Sequence, residues 1–128
     1  MRSRILFVSG HAENAQLLSG MLNPLPVMLD HVPSVRHARS QLQQEDYDVV
    51  LTEAALPDGM WLDVMHLVRE SPREMPVVVT DPQADDRLWT EALNLGAYDL
   101  LTQPFYEPEV RRIMHNACVA EVRAAAAL

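Results

Sequence analysis

The sequence predicts an α/β domain built on a doubly wound parallel sheet of five strands, with five helices covering its two faces. Two observations support this fold class. Short and almost continuously apolar segments alternate five times with longer segments in which apolar residues recur three and four positions apart. Continuous apolar segments are typical of strands buried on both faces of a parallel sheet, and the second spacing is typical of helices. The length of 128 residues suits one domain with a substantial core.

The first half of the chain contains three of the predicted strands and two of the predicted helices. The strands cover residues 5–8, 27–32 and 49–52. Leu18 and Leu22 lie four positions apart and define one side of the first helix, which covers residues 13–23. The second helix opens at Pro33-Ser34, because proline is favoured in the first turn of a helix.

The second half of the chain contains the other two strands and three more helices. The strands cover residues 77–80 and 98–102. A loop at residues 56–59 precedes the third helix, which ends near Ser71-Pro72. The fourth helix is predicted to begin at Asp81-Pro82, with the aspartate as its N-cap, and to run to Gly96. The last helix begins near Glu107.

These elements predict a single domain over residues 1–124. Residues 125–128 are expected to be an Ala-rich C-terminal tail or an extension of the last helix. Cys118 is the single cysteine, which excludes an internal disulfide and favours a reducing compartment. The apolar segments are much shorter than a membrane span, and no apolar stretch of signal-peptide length follows the first residues. We therefore expect a cytoplasmic domain that does not enter a membrane.

The charge of the chain excludes several classes of function. Eighteen acidic residues against ten basic ones give a net charge of −8. Binding to nucleic acid or to anionic lipid needs an excess of positive charge, so neither partner is expected for this domain. All ten basic residues are arginine, and the absence of lysine excludes Schiff-base chemistry and a phosphate-loop lysine.

Three segments carry a more specific signal. Residues 47–51 run into the loop at 56–59, residues 76–80 form a strand that ends on threonine, and residues 92–97 lead to Pro104-Phe105. Their sequences, order and spacing resemble the receiver domain of two-component response regulators, and the resemblance covers about residues 4–121. It implies a flavodoxin-like receiver fold and a function in phosphorelay signal transduction.

The resemblance also implies where a phosphorylation site should lie. In the family, an acidic pair after the first strand and an aspartate at the end of the third hold Mg²⁺, and that aspartate accepts the phosphoryl group. A serine or threonine ends the fourth strand, and a lysine precedes the proline after the fifth. The matching positions here are Ser9, Gly10, Glu53, Thr80 and Gln103. Thr80 fits the family pattern, whereas the other four residues depart from it.

These departures predict a degenerate site without a catalytic residue, a metal or a cofactor. Mg²⁺ usually binds through one or two protein carboxylates, and Ser9 and Gly10 supply none. Loss of one preorganised electrostatic group commonly lowers an enzymatic rate by about 10²–10³. The first hypothesis is therefore a pseudo-receiver that binds a protein partner without being phosphorylated. The alternative is a divergent receiver that still accepts a phosphoryl group, on Glu53 or on a neighbouring side chain.

Other functional residues have weaker support in the sequence. The five histidines lack the spacing of zinc ligands and are expected to be surface or packed residues: His11, His31, His37, His66 and His115. A flavin-binding protein with a similar sheet order has no support, because Ser9-Gly10-His11 does not resemble a phosphate-binding loop. Trp61 is expected to pack on the following helix, and the alternative is that it shields the former site.

Two expectations concern the geometry of the site. Glu53 could act as a permanent negative charge that Thr80 hydrogen-bonds, which would hold the site in an active-like state. The alternative is that Glu53 is a solvated carboxylate. By resemblance to the family, the peptide bond between Gln103 and Pro104 should be cis, although only about 5–6% of X-Pro bonds in folded proteins are cis.

The interaction surface is expected on the fourth helix, the fifth strand and the fifth helix, where it would bind a protein partner or a second copy. On the fourth helix, Leu88, Ala92 and Leu95 should form the buried stripe. The candidate interface residues are Trp89, Leu93, Leu100 and Ile113. Leu100 occupies the position of the family's switching aromatic residue. The alternative is that Trp89 folds back and covers apolar surface within the monomer.

Overall fold

The computed structural model describes residues 2–127, and the side chains through residue 120. The strands are β1 (Ser3–Val8), β2 (Val27–Val32), β3 (Val49–Glu53), β4 (Ala55–Leu56), β5 (Gly59–Met60), β6 (Val77–Asp81) and β7 (Asp99–Thr102). The helices are α1 (Ala12–Leu22), α2 (Val35–Gln44), α3 (Trp61–Glu70), α4 (Asp86–Asn94) and α5 (Glu107–Ala127). Met1 and Leu128 lie outside the described residues. Leu128 is the last position of the expected C-terminal tail.

Five of the strands form the expected parallel sheet, in the order β2-β1-β3-β6-β7. The register places Ile5 beside Val49 and Val50 beside Val77. The fold class predicted from the sequence is confirmed. The structure adds a small antiparallel hairpin of β4 and β5, where the sequence predicts a loop. Its two-residue turn, Pro57-Asp58, lies within that loop.

The sheet separates two apolar cores, as alternating side chains of each buried strand point to opposite faces. Leu6, Val50 and Val79 belong to the core beneath α2, α3 and α4. Phe7 and Leu51 belong to the other core, which α1 and α5 cover. Trp61 is also in the first core and is 2% exposed, so the expected packing role is confirmed.

The start of α4 corrects a prediction. The helix begins at Asp86, and its N-cap is Asp85, whose carboxylate accepts a hydrogen bond from the Leu88 amide. Asp81, the predicted N-cap, is the last residue of β6 and pairs with Thr102 of β7. Its carboxylate accepts a hydrogen bond from the Gln83 amide and so stabilises a turn before the helix.

The C-terminal end of α4 agrees with the prediction in one respect and differs in another. Gly96 has a φ of +103°, a left-handed conformation that glycine adopts without strain. Leu95 is 38% exposed and is not part of a buried stripe, whereas Ala92 is fully buried. Leu95 does not extend the predicted buried stripe because it is the C-cap of α4, where the backbone leaves helical geometry.

Two further observations concern the chain as a whole. The Gln103–Pro104 bond is cis, as the family resemblance predicts. Within residues 2–127, none of the helices combines the length and the apolar character that a membrane span requires.

A polar network joins the strands at the amino edge of the sheet. The Arg4 guanidinium forms ion pairs with Asp30 and Glu45, both at 2.9 Å, and lies 4.9 Å from the centre of the Tyr47 ring. The Tyr47 hydroxyl donates to Asp30 at 2.7 Å and accepts from Gln41 at 2.8 Å. Burial, followed by the hydrogen bond to Asp30, raises the pKa of Tyr47 to about 12.

This network predicts a loss of stability in alkaline solution. The pKa of Tyr47 is raised from 10.0 to about 12, so its contribution is complete below pH 10.0 and is lost as the pH rises towards 12. Urea unfolding between these pH values should show a fall in the free energy of unfolding. The Tyr47→Phe variant should be less stable at neutral pH and should lack that part of the fall, and an identical fall in this variant would contradict the assignment.

Candidate functional site

The carboxyl ends of four parallel strands bring the sequence-predicted site residues to one edge of the sheet. Ser9 follows β1, Glu53 ends β3, Thr80 lies near the end of β6, and Gln103 follows β7. Ligands of doubly wound folds bind at this edge, where the strand order reverses. The edge is therefore where the chemistry of this domain should be found.

Glu53 is the centre of the first cluster, and its carboxylate is enclosed rather than solvated. The residue is 4% exposed. Its Oε1 accepts hydrogen bonds from Ser9 Oγ at 2.6 Å and from the Gly10 amide at 3.1 Å. Its Oε2 accepts one from Asn14 Nδ2 at 2.9 Å. The expectation of a solvated carboxylate is wrong, because the loop after β1 and the first turn of α1 fold over this side chain.

His11 completes this cluster. Its Nδ1 lies 3.0 Å from Oε1 and 3.3 Å from Oε2 of Glu53, while 61% of its side chain is exposed. The hydrogen bond to Glu53, followed by the negative charge of that carboxylate, raises the pKa of His11 above its ordinary value. Protonated His11 thus places a positive charge beside the buried negative one.

Sequence reasoning missed two members of this cluster, His11 and Asn14. His11 was expected to be a surface or packed residue because it lacks zinc-ligand spacing, and Asn14 was not among the predicted site residues. Their position directly after β1 was an available signal. Because β1 and β3 are neighbours in this sheet order, the segment that follows β1 must face the end of β3. A carboxylate there requires nearby donors, and these two side chains are within reach of it.

The loop that carries these donors is itself held in place. The Ser9 carbonyl lies 2.8 Å from His31 Nε2, and the His11 amide donates to Ser9 Oγ at 2.9 Å. Gly10 lies against Pro57 of the hairpin, since a Cβ on Gly10 would be 3.1 Å from Pro57 Cγ. The adjacent Asp58 accepts hydrogen bonds from the Val35 and Arg36 amides, which lower its pKa.

Thr80 and Gln103 form a second, separate cluster. The Thr80 hydroxyl donates to the Leu101 carbonyl at 2.7 Å and accepts from Gln103 Nε2 at 3.2 Å. The prediction of a hydrogen bond between Thr80 and Glu53 is therefore wrong, because the Thr80 hydroxyl donates to the Leu101 carbonyl of β7 instead. The active-like state inferred from that bond loses its basis.

The two clusters border an open cleft of about 320 Å³. Its lining residues are His11, Glu13, Asn14, Glu53, Ala55, Asp81, Pro82 and Gln103. In the part of the chain that the structure describes, no group of three or more histidine, cysteine, aspartate or glutamate side chains is placed to hold a metal ion.

The four candidate interface residues divide into two pairs. Trp89 and Leu93 are 42% and 38% exposed, as an interaction surface requires. Leu100 and Ile113 are 1% and 2% exposed, so their assignment to an exposed patch is wrong. Leu100 is in the middle of β7 and packs in the core beneath α4, and Ile113 packs with the buried stripe of α5.

Comparison with known proteins identifies the family. The family model for the response regulator receiver domain matches residues 5–115 of this chain. The chain belongs to this family. Receiver domains are signalling domains, and the family expected from the sequence is confirmed.

Two of the relatives of this receiver domain are longer proteins. It is 28% identical over 116 residues to the response regulator PilR of Pseudomonas aeruginosa, covering 91% of this chain and 26% of PilR. It is 28% identical over 110 residues to the regulatory protein LuxO of Vibrio cholerae, covering 86% of this chain and 24% of LuxO. The chain therefore spans about a quarter of the length of these relatives.

A solved receiver structure confirms the fold. The signal receiver domain of a LuxO-type protein from Vibrio parahaemolyticus superimposes with a TM-score of 0.92 at 18% identity, covering 99% of this chain and 98% of that chain. At this identity the similarity concerns the fold and not the chemistry of the site.

The Mg²⁺ ion that the family implies does not fit the first cluster. Magnesium requires oxygen ligands in octahedral geometry, usually with one or two carboxylates. The groups that face the Glu53 carboxylate are a hydroxyl, a backbone amide, an imidazole and a side-chain amide, and three of these donate hydrogen to it. A cation in their place would remove the hydrogen bonds of a buried carboxylate.

The His11–Glu53 pair predicts a specific titration. Because the pKa of His11 is raised from 6.5, the pair contributes its full stability below pH 6.5 and loses it as the pH rises through the raised value. NMR titration of the imidazole protons should show this raised pKa, and Glu53→Gln should return it towards 6.5. Thr80→Val, which alters only the second cluster, is the control; an unchanged His11 titration in Glu53→Gln would exclude the carboxylate as the cause.

The hydrogen bond from Ser9 to Glu53 predicts a loss of stability in Ser9→Ala. Loss of a buried hydrogen bond to a charged group costs about 1.5–3 kcal/mol in the free energy of unfolding. Ser40→Ala is a matched control, because Ser40 is exposed on α2 and its change should stay within about 0.5 kcal/mol. Urea unfolding measures both, and equal effects would contradict a special role for Ser9.

Proposed function

We propose that this receiver domain signals through protein contacts without accepting a phosphoryl group. The enclosure of the Glu53 carboxylate carries the proposal. Four groups of the β1–α1 segment occupy the space around this carboxylate, and one of them, His11, offsets its charge. A phosphoryl group on Glu53 would have to displace these donors from a side chain that is 4% exposed.

The departures from the family pattern support the same conclusion. Ser9 and Gly10 stand where the family has an acidic pair, so the carboxylates that would hold Mg²⁺ beside Glu53 are absent from these positions. Phosphoryl transfer depends on positioning and on electrostatic stabilisation of the transferred group. Without the metal, phosphoryl transfer to this site loses its main source of positive charge.

The position of the family's lysine supports the proposal independently. Gln103 occupies it, and its neutral amide donates to Thr80 rather than presenting a charge to the cleft. The chain contains no lysine that could substitute. Each missing electrostatic group commonly lowers the rate of transfer by about 10²–10³, and the losses of metal and lysine combine.

The output surface that we propose is the exposed side of α4. Trp89 and Leu93 lie four positions apart, so their side chains form one exposed apolar strip. Tryptophan is enriched among the residues that dominate binding energy at protein interfaces. We place this signalling in the cytoplasm, because the single Cys118 cannot form an internal disulfide.

Incubation with a small phosphodonor and Mg²⁺, followed by intact mass measurement, tests the proposal. This domain should show no gain of a phosphoryl group. A receiver domain that retains the acidic pair, the aspartate and the lysine is the positive control in the same solution. A phosphorylated species mapped to Glu53 or to a cleft residue would overturn the proposal and favour the divergent receiver.

A restoring variant tests the same argument from the opposite direction. Ser9→Asp, Gly10→Asp, Glu53→Asp and Gln103→Lys together return the family's residues, and the variant should gain a phosphoryl group where the parent does not. A side chain at position 10 requires a small shift of Pro57, because its Cβ would lie 3.1 Å from Pro57 Cγ. Circular dichroism should therefore accompany the mass measurement.

A further inference from the structure

The hairpin of β4 and β5 lies between the first turn of α2 and the loop that follows β1. Its tip, residues 57–59, which we call the strap, contacts α2 through Asp58. That carboxylate accepts hydrogen bonds from the amides of Val35 at 2.8 Å and Arg36 at 3.0 Å. These are the first two residues of α2, so their amides have no acceptor within the helix. Gly59 packs closely as well, since a Cβ on it would be 3.1 Å from Val35 Cγ2.

The same strap contacts the loop that encloses Glu53. A Cβ on Gly10 would be 3.1 and 3.2 Å from two ring carbons of Pro57, so the proline ring lies directly against the backbone of Gly10. The Gly10 amide in turn donates to Glu53 Oε1 at 3.1 Å. One residue therefore separates the strap from the buried carboxylate.

The two ends of the hairpin are anchored more firmly than its tip. The Ala54 amide donates to the Thr80 carbonyl at 2.9 Å, and the Trp61 amide donates to the Ala54 carbonyl at 3.0 Å. Trp61 itself is buried in the core, whereas Pro57 and Asp58 are exposed. Exposed segments with few buried contacts open at a lower free energy than core elements. The strap can therefore leave its contacts while both ends of the hairpin stay in place.

We propose that the strap is a regulatory device that couples the first turn of α2 to the enclosure of Glu53. In the closed position, Asp58 caps α2 and Pro57 keeps Gly10 in place to donate to the carboxylate. A partner protein that displaces Asp58 from α2 would loosen the loop after β1 and make Glu53 accessible from the cleft. Coupling between two sites is reciprocal, so a change at Gly10 must also weaken the hold of Asp58 on α2.

Amide hydrogen exchange measured by NMR on Asp58→Ala tests the first direction. The Val35 and Arg36 amides lose their acceptor in any case, so the decisive amides are those of Gly10 and His11. Loss of a helix cap shifts an equilibrium by roughly twofold to thirtyfold, and exchange at these two amides should accelerate within that range. A residue that only caps α2 would leave them unchanged.

A matched control and a second readout accompany this variant. Asp85→Ala removes a carboxylate that caps α4 in the same way, and it should leave exchange at Gly10 and His11 unchanged. The raised pKa of His11 depends on its hydrogen bond to Glu53. In Asp58→Ala the pKa of His11 should therefore move towards 6.5, and in Asp85→Ala it should not.

Gly10→Ala tests the opposite direction. Gly10 does not have a positive φ, so the variant adds a methyl group without backbone strain, and Pro57 must give way to it. Exchange at the Val35 and Arg36 amides should then accelerate, although the substitution lies outside α2. Gly20→Ala is the matched control, because a Cβ on Gly20 meets no atom within 4 Å.

Three outcomes would overturn the proposal. Unchanged exchange at Gly10 and His11 in Asp58→Ala would show that Asp58 is only a helix cap. Equal acceleration in Asp58→Ala and Asp85→Ala would show a general loss of stability. Unchanged exchange at the first turn of α2 in Gly10→Ala would exclude the reciprocal effect, and this measurement decides alone if Asp58→Ala does not fold.

Discussion

The carboxyl edge of this domain is organised by one requirement, the compensation of the buried Glu53 carboxylate. Removing an ionised group from water costs several kcal/mol unless hydrogen bonds and an opposite charge replace its hydration. Here the replacement comes from a single short segment, since Ser9, Gly10 and His11 precede α1 and Asn14 lies in its first turn. Glutamate is one methylene longer than the family's aspartate, which allows its oxygens to reach that segment. The conformation of the β1–α1 loop and the position of α1 are thus coupled to the identity of residue 53.

The other half of the edge is satisfied independently. Thr80 hydrogen-bonds the Leu101 carbonyl and the Gln103 amide, so its partners lie on β7 and the segment after it. In a domain that responds to a charge at position 53, the hydroxyl at position 80 would have to exchange these partners for the carboxylate. The hydrogen bonds of Glu53 lead to the β1–α1 segment and those of Thr80 lead to β7. This separation is the physical reason why the state of the site and the surface of α4 are not linked by hydrogen bonds through Thr80.

The sequence was informative where a local pattern determines the structure. A strand that is buried on both faces of a parallel sheet needs only a short run of apolar residues. The apolar segments of the sequence therefore predicted the positions of all five strands of the main sheet. Asp81-Pro82 misled because an aspartate before proline is both a helix-start signal and a turn signal, and pairing of Asp81 with Thr102 extended β6 instead. The burial of Ile113 could have been predicted from the sequence, since Ile113 belongs to the same buried stripe of α5 as its neighbour Met114. The partners of Glu53 were beyond local patterns, because they lie 39 to 44 positions away and meet it only in the folded sheet.

Helix α4 shows how a poorly buried element is held in place without giving up its exposed residues. At its N-terminal end, Asp85 caps the Leu88 amide. At its C-terminal end, the Arg69 guanidinium of α3 donates to the Leu95 carbonyl, where a positive charge also offsets the helix dipole. Gly96 is required there for two reasons, its φ of +103° and the 3.0 Å that would separate a Cβ from Arg69 Nη2. Because polar contacts fix both ends, packing of Ala92 suffices for the middle, and Trp89 and Leu93 need not be buried to keep the helix folded.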